Sequence, residues 1–68
     1  MVLSLWPEVV GQEISARTDR LYFKGSKLMI HISDPAWRHE IHMQRFHIAK
    51  KLNKRVKEDI VNEIVVKA

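Results

Sequence analysis

The stretch RLYFKGSKLMIHISDP, residues 20–35, decides the fold because it predicts two paired strands and the start of a helix. On either side of Gly25-Ser26, alternate positions carry large apolar side chains, namely Leu21, Phe23, Leu28, Ile30 and Ile32. The intervening positions carry Arg20, Tyr22, Lys24, Lys27, Met29 and His31. A period of two around a Gly-first pair is typical of a β-hairpin with a two-residue turn. One face of this hairpin is therefore aliphatic.

A helix is predicted to follow the hairpin directly. Ser33 or Asp34 can cap it, and Pro35 suits the first helical position because that position needs no N–H donor. No Gly or Pro occurs from residue 36 to residue 56. One apolar stripe contains Trp37, Ile41, Ile48 and Leu52, with Ala49 and Val56 at its edge. This spacing predicts one unbroken helix over residues 35–56.

A shorter helix and a third strand complete the predicted fold. Trp6, Val10 and Ile14 follow helical spacing and predict a helix from about residue 5, although Gly11 weakens its interior. Residues 59–68, DIVNEIVVKA, alternate as in a closing strand. Ile60, Ile64 and Val66 are predicted on one face of this strand, and Val61, Glu63 and Val65 on the other. The fold class is α+β with the order α-β-β-α-β, a three-stranded sheet with two helices on one face. The predicted core consists of Trp6, Val10, Leu21, Phe23, Leu28, Ile30, Ile32, Trp37, Ile41, Ile48, Leu52, Ile64 and Val66.

Length and composition restrict the function. The 68 residues suit one domain, which we assign to residues 1–68. There is no cysteine, so disulfides, thiolate catalysis and cysteine-bound zinc are excluded. His39 and His42 could share a helix face, but a zinc site needs three or four ligands, so no metal is predicted. No Gly-rich phosphate loop is present and no apolar run is long enough to span a membrane. We predict a protein that is not an enzyme and has no cofactor.

Two basic segments stand out in a chain of net charge +4. The first comprises Arg17, Arg20, Lys24 and Lys27 around the hairpin, and the second comprises Lys50, Lys51, Lys54 and Arg55. Clusters of this kind favour an anionic partner such as nucleic acid. The alternative interpretation is a solvated surface that keeps the protein soluble.

The second face of the predicted sheet is a candidate interface. It carries Tyr22, Met29, His31 and Val65, and we expect Val61 there as well. An open sheet face of this composition can stack nucleobases, or it can pair with another protein, including a second copy of the chain. A homodimer is therefore one of the expected assemblies.

An ordered series of residues resembles the DciA family. It runs through Trp6, Val10-Gly11, Ile14, Thr18, Leu21, Gly25, Leu28, Ile30, Ser33, Trp37, Glu40-Ile41, Ile48-Ala49, Leu52-Asn53 and Ile64, and so covers nearly the whole chain. The resemblance implies a bacterial protein that associates with the replicative helicase and its DNA, through a domain similar to the type II KH fold. It favours DNA over RNA, and a cytoplasmic, nucleoid-associated location.

The chain departs from these patterns at two places. KH domains clamp nucleotides with a Gly-x-x-Gly loop between two helices, whereas no Gly occurs between Asp34 and Ala68. Members of the DciA family carry a helix and linker before the position of Trp6, so we expect this chain to be shortened at its N-terminus. The predicted function is a non-catalytic adaptor that binds DNA and the helicase. A protein-interaction or dimerisation module and a KH-like RNA-binding protein remain the alternatives.

Overall fold

Short helical segments pack against one face of a three-stranded sheet in the computed structural model, which describes residues 3–68; Met1 and Val2 of the predicted domain lie outside them. A 3-10 turn, Leu3–Leu5, leads into α1, Trp6–Val10, and α2, Gln12–Arg17. The hairpin strands are β1, Arg20–Lys24, and β2, Lys27–His31. They are followed by α3, Pro35–Met43, α4, Arg45–Val56, and β3, Glu63–Lys67. The predicted α+β fold with the order α-β-β-α-β is confirmed, with each helical unit divided in two.

The sheet is mixed, with the strand order β1-β2-β3. β1 and β2 are antiparallel, and Lys24 lies opposite Lys27, so Gly25 and Ser26 form the two-residue turn that the sequence predicts. Gly25 has a φ of +65°, which a glycine adopts without steric cost. β3 runs parallel to β2, with Ile64 opposite Leu28 and Val66 opposite Ile30. A parallel pair requires a long crossover, which α3 and α4 provide.

The first helical unit is divided at Gly11. This residue has a φ of +94° and ends α1, where its N–H donates to the Pro7 carbonyl oxygen over 2.9 Å. The expectation of one continuous helix through this glycine is therefore wrong. The turn packs α2 against α1, and Thr18 at the end of α2 accepts a 3.0 Å hydrogen bond at Oγ1 from Trp6 Nε1. Trp6 is only 2% exposed, so this bond satisfies the polar end of a buried ring.

The second helical unit is divided at Gln44, so the prediction of one helix over residues 35–56 is also wrong. Asp34 caps α3 as predicted, accepting a 2.9 Å hydrogen bond from the Ala36 N–H. Gln44 has φ −97° and ψ 9°, outside helical geometry, and its N–H is shared between the Glu40 and Ile41 carbonyl oxygens. On one unbroken helix Arg45 would fall within the apolar stripe, four residues after Ile41 and three before Ile48. At the break its guanidinium instead donates to the His42 carbonyl oxygen over 2.7 Å.

The core lies between the helices and one face of the sheet. Its buried members are Trp6, Val9, Leu28, Ile30, Ile32, Ile41, Ile48, Leu52, Val61 and Ile64. Five residues of the predicted core, Val10, Leu21, Phe23, Trp37 and Val66, are partly buried and pack against it. Val61 corrects the sequence prediction, because it is 2% exposed within this core and not on the opposite sheet face. The reason is that β3 begins only at Glu63, so the strand alternation does not extend back to residue 61.

Asn53 fixes the segment between α4 and β3. Its side-chain oxygen accepts hydrogen bonds from the N–H groups of Ile60 and Val61, over 3.1 and 2.9 Å. Its side-chain nitrogen donates to the Val61 carbonyl oxygen over 3.0 Å. Lys57 ends α4 in the left-handed region, with a φ of +60°. This arrangement leaves the solvent side of α4 uncovered, where the second basic segment lies.

Candidate nucleic-acid interface

The predicted bases of α4 share one exposed surface. Lys50, Lys51, Lys54 and Arg55 are all exposed, and helical spacing places them on the side of α4 opposite Ala49, with Lys51 and Arg55 next to the buried Ile48 and Leu52. A four-residue step brings Lys50 beneath Lys54 and Lys51 beneath Arg55, because such residues are neighbours on a helix surface. The structure thus brings these four bases together. We refer to Lys50, Lys51, Lys54 and Arg55 as the α4 basic face.

A groove of about 730 Å³ runs along this face between α1 and α4. It is lined by Glu8, Val9, His47, Lys50, Lys51, Lys54, Arg55 and Lys57. Glu8 supplies one carboxylate against five Lys and Arg side chains of this lining. Lys50 and Lys54 also line a second depression with Asn53, Lys57, Glu58 and Asp59. Lys50, Lys54 and Lys57 therefore lie between the two depressions, where a phosphate chain could contact them.

The bases of the hairpin segment are placed elsewhere. Lys24 and Lys27 flank the turn and line a separate depression with Gly25, Met29, Val65 and Lys67. The guanidinium of Arg17 lies over the Trp37 ring, 5.0 Å from its centre, and that of Arg20 lies 5.0 Å from the centre of the Tyr22 ring. These two arginines already have cation–π partners. The structure does not join the two basic segments into one groove.

The open face of the sheet carries the predicted interface residues on adjacent strands. Tyr22, Met29 and Val65 lie side by side across the three strands. The Tyr22 hydroxyl is 3.2 Å from His31 Nε2, and the two rings stack with centres 5.6 Å apart. Met29 is only 5% exposed, although it was predicted to be available for contact. Its neighbours on both flanking strands cover it, because it lies on the central strand.

The corner between α3 and α4 presents apolar side chains that sequence reasoning missed. Met43 is 63% exposed and Phe46 is 75% exposed, one on each side of Gln44. The guanidinium of Arg45 lies over the Phe46 ring, 4.6 Å from its centre. Both apolar residues fall outside the stripe that Ile41, Ile48 and Leu52 define. This position outside the stripe was the sign in the sequence that they could be exposed. We call Met43, Arg45 and Phe46 the α3–α4 corner.

The histidines do not assemble a metal site. No group of three or more His, Asp or Glu side chains within residues 3–68 is arranged to hold an ion. His31 bonds instead within the sheet, with Nδ1 3.0 Å from the Ala68 carbonyl oxygen. His39, His42 and His47 are exposed on α3 and α4. In the same part of the chain, no helix has the length and apolar character needed to cross a membrane.

Comparison with known proteins places this arrangement in a family. The family model described as Dna[CI] antecedent, DciA matches residues 1–66. The chain belongs to the DciA family. This family is associated with helicase loading in bacteria, and it is a family of non-catalytic, helicase-associated adaptors. No curated protein matches the chain.

Proposed function

We propose that this DciA-family protein is a non-catalytic adaptor that binds DNA through the α4 basic face while it associates with the replicative helicase. The observation that carries the DNA part is the clustering of four exposed bases on one side of α4, against one carboxylate in the adjoining groove. Family membership supports the helicase as protein partner and DNA as the nucleic acid. We further propose that residues 1–68 act as one domain in the bacterial cytoplasm, at the nucleoid.

Phosphate contacts account for this kind of binding. Lysine and arginine side chains on a helix ridge can follow a phosphate backbone, and each contact releases condensed counterions. Such contacts give affinity and position without reading sequence. The protein would then bind DNA of any sequence, which suits an adaptor that acts wherever a helicase is loaded.

A KH-like architecture is a separate part of the proposal. The division of the second helical unit at Gln44 provides two helices joined at a corner, as KH domains have. However, the joint has no Gly-x-x-Gly sequence, and a single non-helical residue, Gln44, replaces the loop. We therefore propose a KH-like architecture in which contact with phosphates depends on the side chains of α4.

A salt titration with matched variants tests the DNA proposal. We expect Lys50→Glu/Lys54→Glu to weaken binding to a duplex and to a single strand. Two lost phosphate contacts should lower the slope of log affinity against log salt by roughly 2. Lys24→Glu/Lys27→Glu changes the net charge equally at the hairpin turn and is the control. Equal losses for the two variants would show that net charge, and not the α4 basic face, governs binding.

A second candidate function is protein interaction through the open sheet face, including a homodimer. The observation that favours it is that Tyr22 and Val65 are only half-buried, while the helices described within residues 3–68 pack on the opposite face. Its outer positions carry Arg20, Lys24, Lys27 and Lys67 against Glu63. A symmetric pair would bring like charges together, so added salt should strengthen self-association while it weakens DNA binding. Sedimentation of the chain at low and high salt tests this, and a monomer under both conditions excludes the homodimer.

A further inference from the structure

We infer that the Phe46 ring at the α3–α4 corner stacks on an unpaired nucleobase, so that the protein prefers single-stranded over duplex DNA. The inference rests on the proposed DNA binding and adds the type of strand that is bound. Phe46 is 75% exposed, and it is one of the two large hydrophobic side chains exposed among the residues described. Exposing a phenylalanine to this extent forgoes the free energy of burying it, so stability does not explain its position.

The ring lies in line with the α4 basic face. Phe46, Lys50 and Lys54 succeed one another at four-residue intervals, so each step advances about 6 Å along one side of the helix. A strand whose phosphates contact Lys50 and Lys54 would therefore bring its next nucleotides to the α3–α4 corner. Single-strand binding sites combine these two elements, a basic track for the backbone and an aromatic ring for the bases.

Arg45 makes the corner suitable for a base. Its guanidinium covers one face of the Phe46 ring, 4.6 Å from the ring centre, and is anchored by its hydrogen bond to the His42 carbonyl oxygen. Because the side chain is still 75% exposed, the other ring face is directed to solvent. A nucleobase on that face would form a stack of guanidinium, ring and base. The positive charge beside it would also attract the phosphate of the stacked nucleotide.

The charge around the ring favours nucleic acid over an apolar protein partner. A docking site for an apolar peptide needs a contiguous apolar surface, whereas the corner offers two exposed apolar side chains, Met43 and Phe46. Phe46 is flanked by Arg45 and His47 and followed by Lys50. In a duplex the bases are already stacked on one another. Only an unpaired base can reach the ring, which is the source of the expected strand preference.

The test compares an oligothymidine of roughly 15 nucleotides, an abasic strand with the same number of phosphates, and a duplex of the same length. We expect Phe46→Ala to weaken binding to the oligothymidine by roughly 5- to 150-fold, the value of one stacked base. Its affinity for the abasic strand and the duplex, and its salt slope, should match those of the parent. Met43→Ala removes a neighbouring exposed side chain without a ring and is the control. Phe46→Trp should retain the preference for the oligothymidine.

The inference is overturned if Phe46→Ala binds the oligothymidine as tightly as the parent, or if it loses equal affinity for all three probes. It is also overturned if this variant keeps the oligothymidine but no longer associates with a replicative helicase, because the corner would then be a protein-docking site. The proposed function is still supported in these cases if the parent binds DNA and Lys50→Glu/Lys54→Glu binds it more weakly. If the parent binds none of the probes, the proposed function itself fails and the inference fails with it.

Discussion

The two faces of the sheet are built from the same three strands but differ in what covers them. On the helix side, Leu28 and Ile30 of the central strand are fully buried beneath α1, α3 and α4. On the open side, Met29 is shielded by its neighbours on β1 and β3, and Tyr22 and Val65 remain half-buried. The first face holds the fold together, and we expect substitutions on the second face to cost less stability. This division leaves the open face and the outer side of α4 available for partners.

Truncation of Trp6 should have the largest effect, because this residue closes the helix side. The ring is 2% exposed, and its Nε1 bonds to Thr18 Oγ1, which in turn donates to the Ile14 carbonyl oxygen over 2.8 Å. We expect Trp6→Ala to lower the free energy of unfolding by about 3–5 kcal/mol. In a domain of this size that is most of the stability, so the variant should be largely unfolded in a urea titration at room temperature.

Trp37→Ala is the matched control for that variant. Trp37 is half-buried and its ring is covered partly by the Arg17 guanidinium, so the loss should be about 1–2 kcal/mol. A cooperative transition at a lower urea concentration than the parent is the expected result. If the two tryptophan variants were equally destabilised, the distinction between a closed core and its margin would not hold.

Met29 and Ile30 are adjacent residues of β2 whose side chains point to opposite faces of the sheet. Met29→Ala should cost about 1–2 kcal/mol, because water can enter the space that the side chain leaves on the open face. Ile30→Ala should cost about 2–5 kcal/mol, because it leaves a cavity in the closed core. Urea denaturation of both variants measures the difference. A larger loss for Met29→Ala would indicate that another chain covers the open face in solution.

The hairpin was predictable from the sequence because its signals are local. Alternation, the Gly25-Ser26 pair and the Asp34-Pro35 cap act within a few residues, and the structure has all three. The joint at Gln44 was not predictable in the same way, since no Gly or Pro marks it. Its indirect sign was Arg45 within the apolar stripe, a conflict that a break in the helix removes. The position of Val61 depends on Asn53, whose side chain bonds to Val61 beyond the end of α4, and strand alternation alone could not show it.

The sequence predicts which basic residues the candidate site contains, but not all of their contacts. The sequence identifies the bases of α4, and helical spacing is enough to place them on one surface. It does not show that Arg17 is engaged with Trp37, because that contact joins α2 to α3, whereas the contact of Arg20 with Tyr22 is local to one face of β1. Nor does it show the exposure of Phe46, which follows from the direction that α4 takes after the break. Tertiary geometry therefore separates the free bases from the engaged ones.

The smallest effect is expected for Tyr22→Phe, which removes one hydroxyl from the open face. A carbonyl oxygen can only accept, so the 3.0 Å contact between His31 Nδ1 and the Ala68 oxygen requires a proton on Nδ1. In the neutral ring Nε2 is then an acceptor, and the Tyr22 hydroxyl donates to it over 3.2 Å. The variant loses this bond but keeps the aromatic ring, so it should cost about 0.5–1.5 kcal/mol. Nitrogen chemical shifts of His31 provide a second measurement, because the proton should stay on Nδ1 in both proteins. A loss above about 3 kcal/mol would contradict the description of this face as open, since only a hydroxyl sealed from water has so large an effect.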